Sequence, residues 1–559
     1  MGGLMMKKWM ILLVFAGMGL FAQAAVPTER IYISTDREAY IAGDAVWCSL
    51  FLTDEKGALS PFSAVAYLEL VSTDGTAAEA KIGLLKGRGG GMFRIPLTTP
   101  TGQYRLLAYT ALNADEKGDG WMAGSRTLSV YNTQSTARVS GGVEILSGGE
   151  VASLPARENV GESLTVSMTS RVRAGAIVPL ILEGGTGGVD VSVSVYHEDG
   201  LSQAENKGIE AFLAALPGTL PAERTGERMP EYDGEIVYAT IEGGKEPEQG
   251  FLGILSSAGA PANIYIDHST TDREIRFHTG NIYGNRELVC DVPYVEGDPF
   301  IRFRSPFVHP SVTGLPSLCL FPDQFAPLVA RKASLRSEAS VRTDTLSEQL
   351  SKREERFLSG LEPVHYHLDD YTRFPSVREI LVEITPMLRL RRSRGVEELQ
   401  MSLSDGTDAV RFFYSNVLVM MDGVVLTDLS LLLNFDAMLL EDIYIYRHGM
   451  IIGDIPFNGI VNFVTKKNYV TALDFPSHVK VVDFKGLSWP LVYTGDPGAG
   501  VGKDLRQLLY WHPCLQVSEG EQRRIQVRAP SYPGRFRVVA EGLSGDGKPL
   551  RQTFEFEVL

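Results

Sequence analysis

From Arg30 the segment RIYISTDREAYIAGDAVWCSLFLTD alternates apolar and polar positions in two runs, broken around Asp36 and at Gly43-Asp44. A period of two sends successive side chains to opposite faces, so each run reads as a half-buried strand. AVAYLELV, MFRIPL, YRLLAYTAL and RTLSVYN follow at short intervals with turn residues between them. That is the pattern of a β-sandwich over residues 25–135 and not of βαβ units. A second all-β segment, 138–200, carries SLTVSMTSR, AIVPLILEG and VDVSVSVYH, and 201–229 reads as a polar linker. GEIVYATI, GFLGILSS, ANIYID and EIRFHT predict a third β-sandwich over 230–330. The period then changes: TLSEQLSKREERFLSG, residues 345–360, predicts a polar helix ended by Gly360 within a helical linker spanning 331–365. From 366 to 469 the pattern is mixed α/β. SVREILVEIT reads as a helix with Ser376 as N-cap, Glu379 completing a capping box and Pro386 as its stop. VLVMM and VVL flank Asp422-Gly423, a dipeptide suited to a type I′ hairpin because both residues tolerate positive φ. Residues 470–504 read as a linker, and 505–559 as a C-terminal β domain with RRIQVRAP, GRFRVVAEGL and QTFEFEVL.

A chain of 559 residues exceeds what one hydrophobic core covers, which agrees with several domains. Its formal charge of -15 weighs against nucleic acid or anionic lipid as partners. Lys7 and Lys8, the apolar run 9–21 and Ala22-Gln23-Ala24 read as a secretory signal peptide over 1–24, cleaved before Ala25. The mature chain is expected to be exported and to have no transmembrane segment of its own. Cys48, Cys290, Cys319 and Cys514 are far apart, with no metal-like spacing; Cys290 and Cys319 are either a disulfide pair or free thiols.

Local chemistry is sparse. His365, His367, Asp369 and Asp370 in HYHLDDY could hold a metal, since imidazoles at alternate positions share a face of an extended chain; the bland reading is a surface linker. The basic run RLRRSR, 389–394, either grips phosphate or lipid A, or is a solvated strand and turn. GDPGAGVGKD, 495–504, fails as a phosphate loop because Pro497 stands for its first glycine and Asp504 for its hydroxyl. KGRGGGMF, 86–93, leads into a strand, so its glycines read as a turn and not as an anion cradle. No catalytic residue, cofactor-binding residue or metal ligand is assigned, and no cofactor is expected.

FPSVREIL, the DGV hairpin, Glu441 and Ile443 in a strand, and Gly459, Ile460, Val461 and Thr465 in another resemble the plug domain of TonB-dependent outer-membrane receptors. With Asp422 and Gly423 these matches span about residues 370–467. RIYISTDREAYIAGDAVW, TGQYRLLAYT, DLRQLLYWHP and GRFRVVAEGLSGDGKP resemble macroglobulin-like (MG) domains. Together they are similar to Bacteroidetes-type envelope proteins that join such sandwiches to a plug-like domain. The resemblance implies a mainly β fold: tandem immunoglobulin/macroglobulin-like β-sandwiches plus one small α/β plug-like domain. Two departures matter. After Lys467 there remain 559 − 467 = 92 residues, whereas a plugged barrel of about 22 strands needs well over 200, so this chain is not expected to build its own pore. AVPTE leaves no room for a TonB-contacting segment after the signal. A macroglobulin thioester needs Cys-Gly-Glu-Gln, and residues 519–522 read Glu-Gly-Glu-Gln, so no thioester is expected. The resulting expectation is a non-catalytic cell-envelope binding or scaffold protein, periplasmic or outer-membrane associated, with an envelope protein as partner. The alternatives are an accessory to a separately encoded TonB-dependent transporter, and an envelope hydrolase with a site between domains.

Overall fold

The computed structural model describes residues 29–114, 124–148, 159–215, 229–259, 263–269, 272–346, 358, 360–393, 395–403, 413–497 and 503–559. The signal segment, residues 347–357 of the helix candidate and residues 498–502 of the Gly-rich stretch lie outside the described residues. Strands hold 51% of the residues and helices 10%, so the fold class is mainly β, as the alternation implies.

The first sandwich comprises β1 (Glu29–Thr35), β2 (Ala39–Ile41), β3 (Ala45–Asp54), β4 (Val65–Ser72), β5 (Gly75–Leu85), β6 (Arg88–Arg94), β7 (Gly102–Tyr109) and β8 (Gly124–Tyr131). They bond in the order β1-β3-β6-β5-β4-β7-β8-β2. Ile31, Ile33, Leu50, Leu52, Leu68 and Leu106 meet inside. The alternate positions are buried too: Phe51 packs with Ile209 and Leu543, and Trp47 with Tyr493 and Trp511. The near-continuous apolar run of β3 therefore reflects burial on both faces, one in its own core and one against a neighbour.

β9 (Val143–Ile145) leads to β10 (Leu164–Ser167), β11 (Arg171–Val172), β12 (Ile177–Gly184) and β13 (Val189–His197). The third sandwich follows as β14 (Glu235–Glu242), β15 (Leu252–Ser257), β16 (Ile264–His268), β17 (Glu274–Gly280), β18 (Asn285–Asp291) and β19 (Phe300–Phe303). After it β20 (Leu318–Leu320) returns to pair with β9, a helix spans Phe325–Ala339, and β21 (Val341–Thr345) comes next. The α/β unit contains β22 (Val364–His367), β23 (Leu388–Ser393), β24 (Val396–Ser402), β25 (Phe413–Tyr414), β26 (Leu418–Met421), β27 (Val424–Val425), β28 (Leu440–Tyr446), β29 (Met450–Ile452), β30 (Ile455–Phe457) and β31 (Ile460–Thr465). Finally come β32 (Val479–Lys485), β33 (Leu491–Pro497), β34 (Leu508–Val517), β35 (Gln522–Arg528), β36 (Gly534–Ser544) and β37 (Pro549–Val558).

Strand pairing redraws the boundaries read from the sequence. Segments 138–200 and 505–559 are not separate domains. β13 lies between β34 and β36, and β12 between β10 and β35, so the two segments make one sandwich around Val191, Val193, Leu515, Phe536 and Val538. Nor is 470–504 a linker: β32 completes the sheet β16-β15-β18-β32 of the third sandwich, and β33 pairs with β21 and β34 in the second. The stretch 331–365 holds the helix Phe325–Ala339 only in its first part, then the strand β21. The chain is nested, with the α/β unit inside the third sandwich and that sandwich inside the second.

In the α/β unit the sheet runs β22-β28-β31-β26-β27. One face packs Val419, Met421, Ile443 and Phe463 against the helices Val377–Glu383 and Leu429–Leu433. The other sets Leu418, Met420, Val425 and Ile460 on Ile254 and Ile264 of the third sandwich. Ser376 caps its helix, its hydroxyl accepting from Glu379 N and the Glu379 carboxylate accepting from Ser376 N. At the hairpin tip Asp422 and Gly423 have φ of 48° and 83°, both left-handed as a type I′ turn requires.

Candidate functional site at the meeting of the first and third sandwiches

Register on the outer face of the first sandwich sets the site. Tyr67 of β4 lies opposite Lys81 of β5, and Glu69 opposite Glu79; on the other flank Tyr109 of β7 lies beside Tyr67. Their neighbours Ala66, Leu68, Ala80 and Ile82 point the opposite way, into the core. The third sandwich covers this face with the start of β14, the segment after β19 and the end of β32. Lys81 Nζ stands 2.5 Å from Glu235 Oε1, with both side chains 3% exposed, and 4.1 Å from the Phe484 ring centroid. Tyr67 Oη donates to Glu231 at 2.8 Å and 3.0 Å, and Ile236 N donates to Glu231 Oε1 at 3.0 Å.

Burial, and after it the Glu235 charge, pushes the Glu231 carboxyl up to about 8. Burial also raises Glu235, against the pull of Lys81. At neutral pH Glu231 is thus protonated, the uncharged form that burial favours, beside the Glu235–Lys81 contact. Glu235 Oε2 has no hydrogen-bond partner among the described residues. A cavity of about 300 Å3 opens here, lined by Tyr67, Lys81, Glu231, Glu235, Arg304 and Phe484. A second, of about 590 Å3, lies beyond Glu79 and Lys485 between Met92, Phe93 and Trp489. Chemically, this arrangement can hold a transferable proton on Glu231 and present the unpartnered Oε2 of Glu235 to the cavity.

The sequence missed this cluster because Glu69, Glu79 and Lys81 occupy positions that alternation assigns to solvent. A signal was present: AVAYLELV is nearly unbroken apolar, which implies burial on both faces and hence a buried Glu69.

The sequence candidates lie elsewhere. His365 and His367 do share a face of β22, and β28 supplies Asp442 across the ladder. His365 Nε2 and His367 Nδ1 each lie 2.8 Å from Asp442 Oδ1, and His365 stacks on Tyr444 with centroids 4.5 Å apart. The hydrogen bond to Asp442 raises His367; burial works against Asp442, yet both imidazoles bring it below the usual carboxylate range. Asp369 instead pairs with Arg373, with its Oδ1 2.7 Å from Arg373 Nε. Residues 389–393 of the basic run lie in β23, with Arg394 outside the described residues: Arg389 lies over Phe413, and Arg391 and Arg392 are exposed. Asp504 holds the buried Arg506, at 2.8 Å and 2.7 Å. Glu519-Gly520 forms the turn into β35. In KGRGGGMF the turn is made by Lys86 and Gly87, with φ of 52° and 76°, while Gly89, Gly90 and Gly91 lie within β6. All four cysteines are free.

No family model and no curated protein matches the chain. Among solved structures it is similar to Salmonella alpha-2-macroglobulin reacted with methylamine, at 11% identity and a TM-score of 0.24, over 96% of this chain and 40% of that one. Native Escherichia coli alpha-2-macroglobulin gives 9% identity and a TM-score of 0.24, over 97% and 40%. Dimeric latent PorU from Porphyromonas gingivalis gives 10% and 0.17, over 50% and 34%. The chain thus spans about 40% of the length of those macroglobulins. Scores of this size carry nothing over to arrangement or activity, both of which rest on this chain's own residues.

Proposed function

We propose that the chain is an exported cell-envelope binding or scaffold protein in which the α/β unit, resembling a receptor plug, serves as a docking module for another envelope protein. The observation that carries this reading is the nested seat of the unit. Leu418, Met420 and Ile460 fix one sheet face to the third sandwich, so the unit presents its remaining surface from a firm base and not from a flexible tether. That surface exposes Val382, Val396 and Ile451 at 75%, 70% and 73%. Export rests on the leader reading of residues 1–24, and no described helix is long and apolar enough to cross a membrane. The test replaces these three residues by Asp, which leaves both cores intact, and compares partners crosslinked in intact cells. Loss of one specific outer-membrane protein is the expected result; an unchanged partner set overturns docking through this surface.

The hydrolase reading is favoured by one observation, the protonated Glu231 and unpartnered Glu235 oxygen facing a cavity. It requires a hydrolytic activity of the purified chain that Glu231→Gln abolishes and whose pH profile breaks near 8.

A further inference from the structure

Glu69 and Glu79 stand directly opposite each other on β4 and β5, where two carboxylates repel. Among the described residues, the only basic side chain within ion-pair distance of either carboxylate is that of His309, which arrives from the segment after β19. Lys485 approaches but engages the Glu79 backbone carbonyl. His309 Nδ1 lies 3.4 Å from Glu69 Oε2 and 3.4 Å from Glu79 Oε1. That spacing is too long for a good hydrogen bond, which runs about 2.7–3.2 Å. It is, however, the edge of a tetrahedron whose centre is bonded to each corner at about 2.1 Å, the zinc–nitrogen and zinc–oxygen distance.

From this geometry we infer that Glu69, Glu79 and His309 form a site for one divalent transition-metal ion of the zinc type, held by two carboxylate oxygens and the imidazole Nδ1. The ligands are prearranged. Glu69 is fully buried, and its Oε1 accepts from Tyr109 Oη at 2.5 Å, Val308 N at 3.0 Å and His309 N at 3.1 Å. Its Oε2, the atom facing the imidazole, accepts from Thr76 Oγ1 at 3.1 Å and His309 N at 3.2 Å, with no bond as short as that of Oε1 to Tyr109. Partners of this kind orient a metal-binding carboxylate. His309 adopts a left-handed φ of 52°, which lets its own N–H and its ring nitrogen both face Glu69. One nitrogen with two carboxylates suits zinc and its neighbours better than calcium or magnesium, which take oxygen donors in larger number. His309 is 50% and Glu79 28% exposed, so the fourth position opens to water. The ion would staple the segment that follows β19 to the first sandwich, closing one end of the inter-sandwich cleft. This inference does not rest on the docking reading.

The test uses the whole mature chain freed of metal by chelation, titrated with zinc chloride by calorimetry and with cobalt chloride by visible absorption. Wild type is expected to bind one zinc ion and to give the intense cobalt spectrum of a four-coordinate site. Glu79→Gln and His309→Gln alter partly exposed side chains and should keep the wild-type circular dichroism. Each is expected to weaken zinc at least about tenfold, while His367→Gln leaves it unchanged. Absence of stoichiometric binding by wild type overturns the site, as does undiminished affinity in either ligand variant. Loss in His367→Gln would move the ion to the α/β unit and equally overturn it.

Discussion

Glu231 is a single carboxyl whose surroundings set a property of the whole protein. Its folded value is raised to about 8 from an ordinary 4.5, first by burial and then by Glu235. The native state therefore binds a proton more tightly than the unfolded chain, and unfolding releases it. The stabilising contribution is fully present below about pH 4.5, declines as pH rises, and is lost above about pH 8. Glu231→Gln should flatten this dependence, because the amide mimics the protonated carboxyl and still accepts from Ile236 N. Urea midpoints at about pH 5 and about pH 8.5 would show the variant gaining on wild type, by no more than about 1.4 kcal/mol per unit of displacement. A parallel decline in both proteins removes Glu231 as its source. The hairpin residues contrast with Glu231 in how far sequence reveals them. Gly423 was legible because local backbone chemistry decides it. The second task of Asp422 was not: its carboxylate accepts from Thr465 N at 2.7 Å and Thr465 Oγ1 at 2.6 Å, and that partner lies 43 residues away. Glu69, Glu79 and His309 were hidden for the same reason, their meeting being set by strand register and a return of the chain 240 residues later.

At the scale of elements, period two identified the strands well, and it failed where a second face is covered. β6 shows why. A Cβ on Gly90 would lie 2.2 Å from Pro513 Cβ and 2.5 Å from its Cγ, so the first and second sandwiches touch backbone to ring here. Ser49 Oγ donates to Pro513 O at 2.6 Å beside it. The glycines that suggested a turn are thus a requirement of close packing between two sheets, something no local pattern encodes. Gly90→Ala should push β34 away from β3 and β6 and cost about 1–3 kcal/mol as overpacking. Thermal unfolding of the variant checks this, and an unchanged Tm would mean the sandwiches do not press together at Pro513. β32 was missed differently: HVKVVDFK alternates as a strand should, yet its partner β18 lies on the far side of the α/β unit. Local pattern marks a strand, but not which sheet receives it.

Across the whole molecule, nesting makes a claim about folding that separate tandem domains would not. Tyr196 of β13 pairs with Leu508 of β34, and His197 N donates to Gln507 O at 2.8 Å, so the intervening residues form one long excursion from the end of a hairpin. Closing a loop costs little more as it lengthens, about 0.6 kcal/mol per doubling, so the second sandwich tolerates the excursion thermodynamically. Conversely, the excursion is dispensable to that sandwich's own core: of its buried members, all but Val492 come from 164–195 and 509–558. Replacing residues 199–506 by a short Gly-containing turn should therefore leave a protein that unfolds in one cooperative transition. It would uncover Trp511 where Tyr493 packs on it and Leu543 where Ile209 does, both partners lying within the replaced residues, so Ser at both positions belongs in the design. Differential scanning calorimetry and amide exchange would decide, with β13 expected to be as protected as β34 and β36. If β13 exchanges freely while β34 and β36 stay protected, 138–200 and 505–559 fold as the separate domains that their positions in the sequence suggested.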